Sequence, residues 1–156
     1  MDVRSLPHHP RLLTLALLVV LAYWPGAPDT ATDNRPVYEH RIPVIDTLGV
    51  KDEWAIQEWN ACGSVQMYPS SGVPFSPGSI TITGAWQDSQ WPRGGWFEDH
   101  GVVFLPTGSW ERSVPVMRHE IGHALGFGHT HRWSIMGGSN HVQPIDCQGL
   151  VEYYGR

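Results

Sequence analysis

The amino-acid sequence predicts one folded domain of the α+β class. Five short runs rich in β-branched and aromatic residues lie between residues 41 and 106, and most alternate polar with apolar residues, as strands do. Three other stretches have helical character, one after the first of these runs and two near the end of the chain. The strand-like runs and the helical stretches together predict an α+β fold.

Length, composition and charge limit the organisation and the class of protein. A chain of 156 residues, 41% hydrophobic and 16% charged, has room for one soluble globular domain once a leader is set aside. The formal net charge is −5 and no basic stripe is present, which argues against nucleic-acid binding.

The N-terminal region has the features of a targeting segment. Arg4 and Arg11 precede an uncharged apolar run at residues 12–24. This run is shorter than the roughly 20 residues that a membrane helix needs, and it suits a signal-peptide core. Residues 1–27 are therefore expected to be a signal peptide or, alternatively, an uncleaved membrane anchor through residues 12–24. Residues 28–36 form a linker, and residues 37–156 form an exported domain.

The elements of this domain follow from local pattern. Strands are predicted at residues 41–46, 64–68, 80–84, 94–97 and 101–106. The first helix is predicted from about Val50 to Asn60, with Val50 and Trp54 on one face. A second helix begins after Ser113 as N-cap, with a proline in its first turn, and ends at Gly126. A last helix starts at Pro144.

The second helix carries a metal-binding pattern. His119 and His123 are four residues apart, so both side chains point from the same helical face and can bind one ion. Glu120 lies beside them and can accept a proton from a water molecule. Gly126 can adopt a left-handed conformation, which lets the chain turn and bring His129 back as a third ligand. Three imidazoles leave a fourth position open, as in a catalytic zinc site.

The string from His119 to His129, followed by Met136, resembles the metzincin signature. Within that clan, the segments at residues 119–123 and 134–136 are most similar to the matrixins, as is the tail at residues 146–155. This resemblance covers about residues 113–156. It implies a twisted, mostly parallel five-stranded sheet with an antiparallel edge strand, an N-terminal helix, the catalytic helix and a C-terminal helix.

The resemblance also implies roles for individual residues. Met136 would form the hydrophobic Met-turn beneath the zinc without binding it, and residues 94–97 would be the edge strand that pairs with an extended substrate. The stretch from His129 to Met136 is one residue shorter than in matrixins, and glycines follow the methionine. No propeptide motif and no structural zinc or calcium loop is found, so the sequence predicts one catalytic zinc and leaves structural metals open.

Two cysteines, Cys62 and Cys147, are present. An exported chain with an even number of cysteines usually pairs them, so a disulfide is expected, with two free buried thiols as the alternative. Of the other histidines, His131 is an alternative third ligand that the glycine spacing disfavours. His100 could join a second metal site with Glu98 and Asp99, although a solvated acidic turn is the simpler interpretation.

The sequence therefore predicts a monomeric zinc endopeptidase that acts on polypeptides. In this interpretation zinc acts as a Lewis acid, and Glu120 takes a proton from water and later delivers it to the leaving amine. A non-catalytic zinc-binding surface domain of the same fold is the main alternative, and the presence of Glu120 argues against it. A third interpretation, an aminopeptidase, would need a closed pocket for a chain end, which the sequence does not reveal.

Overall fold

The computed structural model describes residues 38–50, 52–84, 93–97, 99–105 and 113–155. The predicted leader and linker at residues 1–36 lie outside these ranges, as does Glu98. Among the described residues, the helices are too short or too polar to span a membrane.

A five-stranded sheet forms one layer of the domain. Its strands are β1 (Arg41–Asp46), β2 (Gln66–Pro69), β3 (Ile80–Gly84), β4 (Arg93–Phe97) and β5 (His100–Leu105). They lie in the order β2-β1-β3-β5-β4. All neighbours are parallel except β4, which pairs antiparallel with β5 at the edge of the sheet. The predicted α+β architecture is confirmed, including an antiparallel edge strand over residues 94–97.

Three helices accompany the sheet: α1 (Glu53–Asn60), α2 (Val114–Ala124) and α3 (Pro144–Tyr154). The helix α2 begins as predicted, with a proline in its first turn and Ser113 at the N-cap in an extended conformation. The Ser113 side chain makes no capping hydrogen bond, so the backbone alone defines this end.

The prediction that Val50 and Trp54 share one face of the first helix was wrong. Trp54 is 63% exposed, whereas Ala55, Ile56 and Trp59 are buried. The error arises because α1 starts at Glu53 and not near Val50. The backbone N–H of Val50 instead donates to the Asp46 carboxylate at 2.6 Å, which folds residues 46–50 into a turn before the helix.

The hydrophobic core lies between the sheet and the helices. Alternate residues of β1, β3 and β5 belong to one buried cluster with side chains from α1 and α2, because successive strand residues point to opposite faces. The strand members include Ile42, Val44, Ile80, Ile82, Val103 and Leu105, and the helical members include Trp59, Met117, Ile121 and Leu125. This packing fixes α2 against the sheet, and α2 carries the candidate site.

The expected disulfide is confirmed. Cys62 and Cys147 are bonded and lie 85 residues apart in sequence. The bond joins the chain just after α1 to the first half of α3. It closes a loop of the chain that contains the four strands β2 to β5 together with α2.

Candidate metal centre

Three histidines converge at one point. His119 and His123 lie one turn apart on α2, and the Nε2 atoms of both approach Nε2 of His129, at 3.1 Å and 3.2 Å. A tetrahedral zinc site with zinc–nitrogen distances near 2.0–2.1 Å places neighbouring nitrogens about 3.3 Å apart. Both distances therefore suit nitrogens that share one tetrahedral ion, and the ligand atoms of all three histidines lie within 4.8 Å of one another.

The turn after α2 brings His129 to this point. Gly126 has a φ of +95°, which confirms the predicted left-handed position. The backbone N–H of Phe127 then donates to the Gly122 carbonyl at 3.0 Å, so the chain reverses directly after the helix. His131 is exposed and lies outside the convergent group, so the predicted preference for His129 agrees with the geometry.

The second ring nitrogens define the tautomers of two of these histidines. Nδ1 of His119 lies 2.8 Å from the Ile135 carbonyl oxygen, and Nδ1 of His123 lies 2.7 Å from that of Phe127. Because a carbonyl only accepts, each Nδ1 carries the proton and each Nε2 presents a lone pair. His129 can contribute at most one proton at Nε2, so lone pairs face one another in the neutral cluster. A cation at their centre would satisfy them, and the donor set fits zinc.

Burial supports the neutral state that metal binding needs. Desolvation lowers the pKa of His119, and it lowers the pKa of His123 to about 4. The hydrogen bonds to the two carbonyls and the neighbouring histidines have smaller effects on these pKa values. Both imidazoles are therefore neutral near pH 7 and can bind a metal without first losing a proton.

Glu120 is the buried carboxylate next to this cluster. The residue is 5% exposed, and its Oε2 has no hydrogen-bond partner among the described residues. Burial raises its pKa to about 7, opposed by a hydrogen bond from the Gly94 backbone. Gly94 is on β4, and an added Cβ there would overlap the Glu120 carbonyl oxygen. The edge strand thus passes directly over the helix at its acidic residue.

Met136 lies in a short 3-10 turn, Ile135–Gly137, that packs against α2. It is 3% exposed, and its sulfur is so close to Gly122 that an added Cβ there would overlap it. The N–H of Ile135 donates to the Asp146 carboxylate at 3.0 Å, while the carbonyl of the same residue accepts from His119. The turn therefore supports the first histidine through its backbone.

The other candidate metal group, His100 with Glu98 and Asp99, is only partly described and stays a prediction. His100 Nδ1 contacts the Asp99 carboxylate at 2.9 Å. Within the described ranges, His119, His123 and His129 form the group of three that could hold an ion. The third predicted member, Glu98, lies outside the described residues.

Two tyrosines that the sequence did not single out support the end of α2. The hydroxyl of Tyr38 donates to the Ala124 carbonyl at 2.8 Å, and that of Tyr154 donates to the Leu125 carbonyl at 2.8 Å. These carbonyls belong to the last turn of the helix, where no backbone N–H of a later helical residue is left to donate to them. The tyrosines are far from α2 in sequence, so no local spacing indicates these bonds.

Comparisons with known proteins concern the fold. Neither the protein-family models nor the curated protein sequences contain a match to this chain. Among solved structures, the chain is similar to high choriolytic enzyme 1, a hatching enzyme zinc-protease from Oryzias latipes (medaka fish). The TM-score is 0.54 at 13% sequence identity, over 80% of this chain and 92% of that chain. The chain therefore has a metzincin-like α+β fold in which three histidines form a candidate zinc site.

Proposed function

We propose that the chain is a zinc-dependent endopeptidase, with His119, His123 and His129 as the zinc ligands and Glu120 as the general base. The observation that carries this proposal is the convergence of three Nε2 atoms, two of which are fixed as lone-pair donors by Nδ1–H···O=C bonds. The fold likeness to a zinc protease supports the same reaction class.

The reaction is hydrolysis of a peptide bond by water. Zinc bound to the three imidazoles would supply Lewis acidity at the open fourth position. Glu120 takes a proton from the attacking water and delivers it to the leaving amine, which breaks the carbon–nitrogen bond. In the metal-free chain burial raises the pKa of Glu120, which favours holding the proton for the leaving amine, while bound zinc would favour the carboxylate that takes the proton from water.

The edge strand gives the substrate a place to lie. In the described sheet, β4 is the last strand: it pairs with β5 on one side, and it passes over α2 at Glu120. An extended polypeptide can add to such an edge through backbone hydrogen bonds. Because these bonds involve only backbone atoms, they position a peptide bond whatever the side chains of the substrate are. The substrate is therefore a polypeptide, and the matrixin-like methionine turn at Met136 forms the base of the site.

Export is part of this proposal. The Cys62–Cys147 disulfide is typical of proteins that fold in an oxidising compartment. The apolar segment at residues 12–24, as a cleaved signal peptide or as an anchor, would direct the domain there. We expect the domain to act outside the cytosol as a monomer.

The test is cleavage of an unfolded protein and of a proteome-derived peptide library by the purified protein. Wild-type protein with zinc should cleave internal peptide bonds, and a chelator should abolish cleavage, with activity restored by added zinc. Glu120→Gln should reduce kcat by about 100-fold or more, because the general base is lost while its volume remains.

Zinc content separates this role from a structural one. Glu120→Gln should bind one zinc per chain like the wild type, because the three histidines are unchanged. Wild-type activity in this variant would contradict the assignment of Glu120. Zinc binding without cleavage in the wild type would favour a non-catalytic zinc-binding domain.

A further inference from the structure

A partly buried ion pair links α1 to the residue before the first histidine. The guanidinium of Arg118 forms a salt bridge with Glu58, and the two side chains are 8% and 29% exposed. Removing two charges from water is costly, and an apolar pair of similar volume is often equally stable. Stability alone therefore gives little reason for an arginine at this position.

The pair also holds the segment that follows Met136. Arg118 Nη1 donates to the Asn140 carbonyl at 2.7 Å. The Glu58 carboxylate accepts from the Val142 backbone N–H at 3.1 Å and contacts His141 Nδ1 at 3.0 Å. Three successive residues of one irregular segment are thus bonded to the same two side chains. The planar fork of arginine makes this possible, because it reaches the carboxylate and the carbonyl at once.

The other end of that segment supports the metal centre. The N–H groups of Gly137 and Ser139 both donate to the Ser134 carbonyl, at 3.0 Å and 2.8 Å, so residues 134–139 form one compact turn. The carbonyl of Ile135, inside this turn, accepts the Nδ1 proton of His119 at 2.8 Å. The turn is therefore bonded on one side to His119 and continues on the other into the residues held by Arg118 and Glu58.

We propose that Glu58 and Arg118 are positioning residues for the metal centre, because they hold segment 134–142 against α2 and so keep the Ile135 carbonyl on His119. This inference rests on the proposed function, in which His119 binds zinc. A carbonyl that fixes the orientation of a ligating imidazole raises the metal affinity of the site. The pair acts through the turn and has no part in proton transfer.

The first test is Arg118→Lys, which keeps the charge but lacks the fork. We expect zinc affinity, measured by competition with a chromophoric chelator, to fall about tenfold. This is the lower end of the loss typical when a hydrogen-bond partner of a ligating histidine is mutated. Glu53→Gln is the control: it removes an exposed carboxylate from the first turn of α1, the helix that carries Glu58, and should leave the affinity unchanged. Wild-type affinity in Arg118→Lys would overturn the proposal.

The second test separates positioning from stability. The double variant Glu58→Leu/Arg118→Met replaces the ion pair by apolar side chains, so its thermal midpoint should stay near that of the wild type. Its zinc affinity should still be reduced, and the visible absorption bands of the Co²⁺-substituted protein should shift, because residues 140–142 have lost their bonds. If the double variant regained wild-type affinity and absorption, the pair would have only a structural role and the proposal would be overturned.

Metal affinity is measured without reference to catalysis. A wild-type chain that binds zinc but cleaves no peptide would contradict the endopeptidase, while the affinities of the variants would still decide the role of the pair. A wild-type chain that binds neither zinc nor cobalt would overturn both proposals.

Discussion

At the scale of single residues, the site depends on contacts that permit no larger side chain. Gly122 directly precedes His123 on α2, and its missing Cβ leaves room for the sulfur of Met136. Gly94 likewise lets β4 approach the carbonyl of Glu120. The sequence motif gives the position of Gly122 but not the reason for a glycine there. The structure gives its physical reason, since the methionine turn can reach the helix only where a side chain is absent.

The pKa of Glu120 gives a prediction for the metal-free protein. Its pKa is about 7 when folded and its ordinary value is 4.5, so the folded state retains the proton to higher pH than the unfolded chain does. Its contribution to stability is therefore fully present below about pH 4.5 and declines as the pH rises towards 7. The glutamine in Glu120→Gln does not titrate. The free energy of unfolding of this variant minus that of the wild type should therefore increase by about 2–3 kcal/mol from pH 4 to pH 8.

Urea unfolding of both proteins in excess chelator would measure this difference. The comparison isolates Glu120, because the histidines and other titrating groups are common to both proteins. A difference that stayed constant from pH 4 to pH 8 would contradict a raised pKa. With zinc present, the positive charge should favour the carboxylate and reduce the pH dependence.

At the scale of elements, the end of α2 is completed by distant parts of the chain. Tyr38 precedes β1 and Tyr154 ends α3, yet their hydroxyls bond to the carbonyls of Ala124 and Leu125. The same turn leads through Gly126 to His129. Packing of α3 and of Tyr38 against the end of α2 thus supports the third histidine as well as the helix.

Removal of one hydroxyl should measure this support. Tyr38→Phe keeps the buried ring, which stacks edge-on with Trp96, but leaves the Ala124 carbonyl without its donor. We expect a loss of about 1–3 kcal/mol in the free energy of unfolding, the typical cost of an unsatisfied buried group. Tyr68→Phe, on β2 with its ring facing Arg41, is the control and should change stability by less than about 0.5 kcal/mol. Equal effects of the two variants would contradict the assigned role of the hydroxyl.

At the scale of the whole molecule, the disulfide joins the end of α1 to α3. Cys62 and Cys147 are 85 residues apart, so the bond restricts the unfolded chain over more than half of its length. The variant Cys62→Ser/Cys147→Ser should lose about 2–4 kcal/mol of unfolding free energy, with the zinc stoichiometry unchanged because neither cysteine is a ligand.

Reduction of the wild type provides the control for this prediction. A reductant should lower the denaturation midpoint of the wild type to that of the double variant and should leave the variant unaffected. If the oxidised wild type and the variant unfolded at the same denaturant concentration, the bond would contribute nothing to stability. Both proteins must be compared with the same zinc concentration, since a bound metal stabilises the folded state by itself.

The amino-acid sequence determined the features that depend on near neighbours. The spacing of His119 and His123, the glycine after the helix and the return of His129 follow from helix geometry, so they were predictable residue by residue. The order of strands and helices was predictable for the same reason. The face of α1 was not, because the turn at Asp46 delays the start of the helix and the pattern of apolar residues is ambiguous over so short a segment.

Only the tertiary structure decided which distant residues meet at the site. Glu58 meets Arg118, Gly94 meets Glu120 and Tyr38 meets the end of α2, through a sheet order that brings separate segments together. Such contacts depend on how whole elements pack, and no local periodicity encodes them. The sequence thus determined which atoms can bind a metal, whereas the fold decided how those atoms are oriented, buried and held.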